Sequence, residues 1–195
     1  MKYSLELTVE SPSGWIDCVL GDFNAFLQDH ADCERKASAM AMSLVAKYPH
    51  RIEIIPELIE TGIEELQHFQ QVYEVMERRG LPLDKEIKTD RYMKGLLDAC
   101  HSDSERRFLD RLLVASIVEC RGAERFRIVS QGLENDEELR SFYHALWVSE
   151  AKHGNIFVRM ALTYFPESRV YSRLSELNEL EGEILSALPL RPALH

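Results

Sequence analysis

Apolar positions along this chain recur at steps of three and four almost throughout, which is the period of a helix with one buried face. The first long run goes from about Asp22 to Tyr48 and stops at Pro49, with the stripe Phe23, Leu27, His30, Glu34, Ala37, Ala41, Leu44, Tyr48. A second begins near Ile54, accommodates Pro56 in its first turn and ends at Gly80; its stripe is Leu58, Thr61, Glu65, His68, Val72, Val75. "GLPLD" then breaks the chain, and a shorter helix is predicted from Lys85 to Cys100. The third long helix is predicted to start with Ser102 as N-cap and Glu105 three residues on. It runs to about Gln131, with Gly132 as its C-cap. Its stripe is Leu109, Leu112, Ala115, Glu119, Gly122, Phe126, Val129. The fourth runs from about Asp136 to Phe165, stops at Pro166, and carries Tyr143, Trp147, Glu150, His153, Phe157, Met160, Tyr164. A last amphipathic helix covers about 168–187, and residues 1–20 show no regular period. Four long helices with accessories predict an all-α chain, a four-helix bundle forming one domain over 1–195.

Each long stripe is interrupted by a residue that does not belong in a core. Glu34, Glu65, Glu119 and Glu150 all fall on the apolar face. An isolated buried carboxylate is costly and either takes up a proton or finds a cation. Lys and Arg are scarce on these stripes; His68 and His153 are present instead. In each Glu-x-x-His pair, Glu65 with His68 and Glu150 with His153, both side chains point the same way from one helix. Glu34 and Glu119 come from the two partner helices. A shift of 85 carries 34, 65 and 68 onto 119, 150 and 153. One Glu-x-x-His pair carries no weight. Both upstream glutamates recurring by accident has a chance of roughly one in seventy, before helical phase is counted. Carboxylate oxygen with imidazole nitrogen suits iron or manganese, and two divalent cations would balance four glutamates.

The arrangement resembles the ferritin-like di-iron carboxylate superfamily. More narrowly, "LQDHADCERKASAMAMSLVAKYP", "ELIETGIEELQHFQQVYEVMERRG", "LLVASIVECRGAERF" and "FYHALWVSEAKHGNIFVRMALTY" resemble the tRNA 2-methylthio-N6-isopentenyladenosine hydroxylase family, over roughly residues 15 to 170. The resemblance implies a ferritin-like four-helix bundle with accessory helices. It implies a di-iron centre on Glu34, Glu65, His68, Glu119, Glu150 and His153, with Glu65 and Glu150 bridging and Glu34 and Glu119 terminal. The implied reaction is O2-dependent hydroxylation of the isopentenyl group on the modified adenosine next to the tRNA anticodon. It consumes O2 and takes electrons from an external donor protein or reductase.

Composition changes this picture in two places. The net charge of −10 has the wrong sign for a tRNA-binding protein. The acidity is uneven, however: Lys85 to Arg127 is close to neutral, and the pairs Arg35–Lys36, Arg78–Arg79 and Arg106–Arg107 are candidate phosphate contacts. The four cysteines form no CxxC pair, so thiolate-zinc spacing is absent, and they read as small buried hydrophobes. No run is apolar enough to span a membrane, the start lacks a signal-peptide core, and the expected location is the cytoplasm. His30, one turn before Glu34, reads more simply as a core histidine than as a partner of the metal ligands; His144 reads as surface. Tyr143, Trp147, Phe157 and Tyr164 read as core. The competing readings are a ferroxidase or iron-storage protein, a small-molecule di-iron oxygenase, a manganese catalase, and a metal-free helical binding module.

Overall fold

The computed structural model describes residues 5–85 and 89–194. The described residues form seven helices and no strand: α1 (Trp15–Gly21), α2 (Phe23–Lys47), α3 (Ile55–Arg78), α4 (Arg91–Asp98), α5 (Ser104–Gly132), α6 (Glu137–Tyr164) and α7 (Glu167–Ala187). None of them is long and apolar enough to cross a membrane. The described residues group into two compact units. Among the described residues, one holds 17–85 and 191–194 and the other holds 5–16 and 89–190, so the boundary falls inside α1. Part of the segment expected to be irregular is thus helical. The short helix expected from Lys85 spans only 91–98, because Asp90 caps it by accepting the N–H of Met93. Residues 1–4 of the expected irregular segment and 86–88 of the expected helix lie outside the described residues.

The smaller unit is built on the α2–α3 pair. Asp22 caps α2 by accepting the N–H of Ala25. Gly80 ends α3 in a left-handed conformation, φ 66°. The N–H of Leu81 then reaches the carbonyl of Met76, and the N–H of Gly80 that of Glu77, so two otherwise open carbonyls are satisfied. The helices approach closely at Gly62. A Cβ there would lie 2.9 Å from Met42 Cε, and Ser38 Oγ donates to the Gly62 carbonyl at 2.7 Å. Gln28 holds the segment after α3: its amide nitrogen donates to the Pro82 carbonyl and its oxygen accepts the N–H of Asp84. The tail returns to α2, where Asp29 accepts the N–H of Leu194 at 2.7 Å.

The larger unit centres on α5. Its N-cap is Asp103 rather than Ser102: the Asp103 carboxylate accepts the N–H of Arg106 and also pairs with the Arg106 guanidinium, two bonds that a serine one residue earlier does not match. Gly132 is the last helical residue and Leu133 the C-cap. Arg121 is fully buried and fastens three parts of the chain. It grips Glu181 of α7 at 2.8 and 2.9 Å, pairs with Glu124, and donates to the Val9 carbonyl at 2.6 Å. Tyr92 of α4 donates to Glu181 at 2.9 Å. Burial first, and then the Glu181 charge, push the Tyr92 hydroxyl well above its ordinary pKa, so it stays a neutral donor. Arg125 lies 4.6 Å from the Trp15 ring centre. At the start of α5, Asp110 accepts from Arg173 and from both the backbone and the ring of His101.

Removing one partner of a buried ion pair strands the other. Glu181→Ala is therefore expected to destabilise this unit by about 3–5 kcal/mol in urea unfolding. The double change Glu181→Leu with Arg121→Met should cost less than the single one. Asp110 gives a pH signature. Burial raises its pKa, but the bonds from Arg173 and His101 outweigh burial and hold it below the ordinary value. Its stabilising contribution is complete above about pH 3.9, its unfolded value, and disappears as pH falls through the lower folded value. Asp110→Asn should therefore lower the melting temperature at neutral pH, with the gap to wild type closing in acid.

Candidate metal centre

All six predicted ligands are buried, and each unit brings three of them together. In the α2–α3 pair, Glu34, Glu65 and His68 offer ligand atoms within 4.8 Å of one another. His68 Nδ1 stands 3.8 Å from Glu34 and 3.9 Å from Glu65. In the α5–α6 pair, Glu119, Glu150 and His153 do the same within 4.8 Å. There His153 Nδ1 is 3.0 Å from Glu150 and 3.8 Å from Glu119. The two triads occupy the same register of the internal repeat.

Local packing explains how the helices bring these groups within reach. In the α5–α6 pair, Gly154 directly follows His153. A Cβ at this position would sit 2.4 Å from Cys120 Sγ and 3.4 Å from the Ser116 carbonyl, so only glycine lets α6 lie this close to α5. Ser116 Oγ donates to the Gly154 carbonyl at 2.6 Å and holds the contact. In the α2–α3 pair the close approach is at Gly62, one turn before Glu65. Both devices lie within a turn of a ligand.

The repeat is not perfect. His30 is fully buried and its Nε2 lies 2.7 Å from Glu34 Oε1. Its counterpart 85 residues on is Ala115. It is a core histidine, as the sequence leads one to expect, and it is also bonded directly to a candidate ligand. Glu34 therefore has an imidazole from outside its triad fixing it, a feature that helical phase alone signals weakly.

The donor chemistry fits a divalent metal. Each triad places two carboxylates and one imidazole in a dry interior, so even a protonated histidine of the triad leaves it anionic. Oxygen and nitrogen donors of this kind suit iron or manganese. Burial, with help from the Glu119 charge, pushes the Cys120 thiol to about 12, so it stays protonated near neutrality. Cys33 donates to Asp29 instead.

Tyr143 and Phe157 are core, while Trp147 and Tyr164 are half-buried, with Leu146 taking the buried place beside Trp147. His144 is exposed and packs edge-on against Trp147. Arg35 and Lys36 both pair with Asp32, Arg106 pairs with Asp103, and Arg79 lies over the Phe23 ring. The sequence reading missed the Arg121–Glu181–Tyr92 network; its only signal was two arginines on the buried side of α5.

Helix order, the two triads and their position on the helices define an all-α chain of the ferritin-like class with a carboxylate–histidine metal-binding composition. It belongs to the tRNA-(MS2IO6A)-hydroxylase (MiaE) family, whose family model matches residues 3–195. It is similar to the tRNA 2-(methylsulfanyl)-N(6)-isopentenyladenosine(37) hydroxylase of Pseudomonas putida, 34% identical over 177 residues, 91% of this chain and 85% of that protein. The Salmonella typhimurium protein of the same name is 33% identical over 133 residues, 68% of this chain and 48% of that one. Among solved structures, a Synechococcus protein described as having aldehyde deformylating oxygenase activity superposes with a TM-score of 0.89 at 28% identity, covering 95% of this chain and 92% of that one.

The tight contact at Gly154 is testable. Gly154→Ala is expected to lower stability by about 1–3 kcal/mol through overpacking against Cys120. Adding Cys120→Ala should recover much of the loss, as read from denaturation midpoints. An unchanged midpoint in Gly154→Ala would show that α5 and α6 do not depend on this approach.

Proposed function

We propose that this chain hydroxylates the isopentenyl group of 2-methylthio-N6-isopentenyladenosine in tRNA, using two iron ions held by Glu34, Glu65, His68, Glu119, Glu150 and His153. The observation that carries this reading is the coincidence of family membership over nearly the whole chain with two buried triads at the same positions of an internal repeat. In this reading the Glu34, Glu65 and His68 triad and the Glu119, Glu150 and His153 triad would supply the carboxylate and imidazole donors that hold the ions. A tRNA substrate implies a cytoplasmic enzyme.

The iron pair, when bound, supplies the redox chemistry that reduces O2 and oxidises an unactivated C–H bond. The overall change is balanced: one oxygen atom enters the C–H bond, the other leaves as water, and two electrons and two protons come from an external donor protein or reductase. The protein's own contributions can be assigned to residues. His30 orients Glu34 through their 2.7 Å bond, limiting the positions that carboxylate can take. Thr61 and Val72 flank the α2–α3 triad one turn away on α3, and both are buried. Ala115 and Phe157 do the same for the α5–α6 triad. These side chains keep bulk water from carboxylates that must bind metal rather than be hydrated.

The test is an aerobic reaction of the iron-loaded, reduced protein with tRNA from a strain lacking the hydroxylase, under isotopically labelled O2. Nucleoside mass spectrometry should show the modified adenosine gaining one labelled oxygen; no gain refutes the substrate assignment. Separately, Glu119→Ala should lose at least half of the bound iron by elemental analysis while keeping its helical circular dichroism. Wild-type iron content in that variant would remove Glu119 from the ligand set.

A further inference from the structure

The internal repeat allows the flanks of the two helix pairs to be compared position by position. In the α5–α6 pair the flank beside His153 is closed: Ser116, Cys120 and Gly154 lie in mutual contact. A shift of 85 residues carries these positions back to Ala31, Arg35 and Phe69. There the flank is open, and all three residues line a cavity of about 350 Å³. Phe69 stands where the other pair has the glycine of closest approach, and the α2–α3 contact has moved to Gly62. The rest of the lining comes from the segment after α3, including Leu83 and Lys85, and from the tail at Arg191–Ala193. Every lining residue belongs to the α2–α3 unit.

We propose that this cavity is a nucleotide-binding subsite that takes an anticodon-loop base of the RNA substrate other than the one hydroxylated. The inference rests on the tRNA reading above and deepens it. Four features carry it. The cavity has the volume of a small-ligand pocket. It includes an aromatic ring, Phe69, of the kind on which unpaired bases stack. Its ionisable groups balance, with Arg35, Lys85 and Arg191 against Asp29, Asp32 and Asp84. A balanced lining of donors and acceptors matches the edge of a base better than a bare phosphate, which calls for excess positive charge. Finally, Arg35 and Phe69 directly follow Glu34 and His68 in sequence, so a base held here is anchored on the helices that carry the candidate ligands. The walls are fixed before binding: Gln28 holds the 82–84 segment and Asp29 holds the tail. Such a subsite also answers the charge problem, because a protein of net charge −10 gains hold of RNA through stacking and local contacts rather than through its overall field.

The experiment uses the full-length, iron-loaded protein and a fluorescently labelled anticodon stem-loop RNA carrying the modified adenosine, read by anisotropy. Phe69→Ala should weaken binding at least fivefold with iron content unchanged, and Phe69→Trp should restore it. Arg191→Ala should weaken binding about threefold or more. Removing the base at one loop position flanking the modified adenosine should weaken wild type to a similar extent, yet leave Phe69→Ala no weaker than it already is. If Phe69→Ala does not fold, the base-removal series on wild type together with Arg191→Ala decides. Wild-type affinity in Arg191→Ala, with no loop position sensitive to base loss, overturns the proposal. Normal RNA affinity in Phe69→Ala also overturns it, including the case where only reduction by the electron donor is slowed, which would make the surface a protein-docking site. If wild type hydroxylates tRNA while the pocket variants bind normally, only the pocket assignment falls. If wild type binds no stem-loop at all, the tRNA reading falls with it.

Discussion

The constraint from which the rest follows is the cost of placing carboxylates where a helix puts its apolar face. Glu34, Glu65, Glu119 and Glu150 are all nearly inaccessible. Four leucines there would give a drier and more stable interior, since burying ionised groups rarely stabilises a fold on its own account. The chain keeps the glutamates and arranges its packing around them. Glycine at 62 and 154 brings each helix pair together within a turn of a ligand, and a histidine three residues after the second glutamate completes each triad. The fold is thus stabilised elsewhere. Part of that support is the Arg121–Glu181–Tyr92 network, a buried charge arrangement whose members neutralise one another and need no metal.

These two kinds of buried charge differ in how they announce themselves in sequence. The triads are local: Glu-x-x-His is visible within one helix turn, and the partner glutamate sits on an adjoining stripe of the same period. The 85-residue repeat then raises the signal above chance. Arg121 and Glu181 are 60 positions apart and belong to no repeat, so nothing short of the folded chain pairs them. Long-helix boundaries were legible to within a residue or two because Pro49, Gly80 and Pro166 punctuate them. The exceptions have local causes. Asp103 outcompetes Ser102 as a cap because a carboxylate can bond both the backbone and the guanidinium of Arg106. The helix α1 escaped notice because its seven residues are too short to display a helical period. Trp147 lies on the predicted stripe but is only half-buried, because a 28-residue helix packed over its length turns its apolar face gradually.

The repeat also separates what is shared from what is particular. Shared positions include both carboxylates and the histidine of each triad; those are the groups that a pair of like cations would require. Most other positions differ, and those immediately beside the triads include His30 against Ala115, Phe69 against Gly154 and Arg35 against Cys120. A departure that served only packing would be expected to keep the local volume filled. Here the changes from Gly154 to Phe69 and from Cys120 to Arg35 add side-chain bulk, yet the flank that carries the larger residues is the one that holds a cavity. The segments that form the outer wall are tied by hydrogen bonds to α2. Packing pressure alone favours collapse, because a void forfeits contact energy along its whole lining. A wall held off an aromatic ring by bonds from Gln28 and Asp29 is a space kept open for an occupant, and the half of the repeat that lacks such a wall has closed on a glycine.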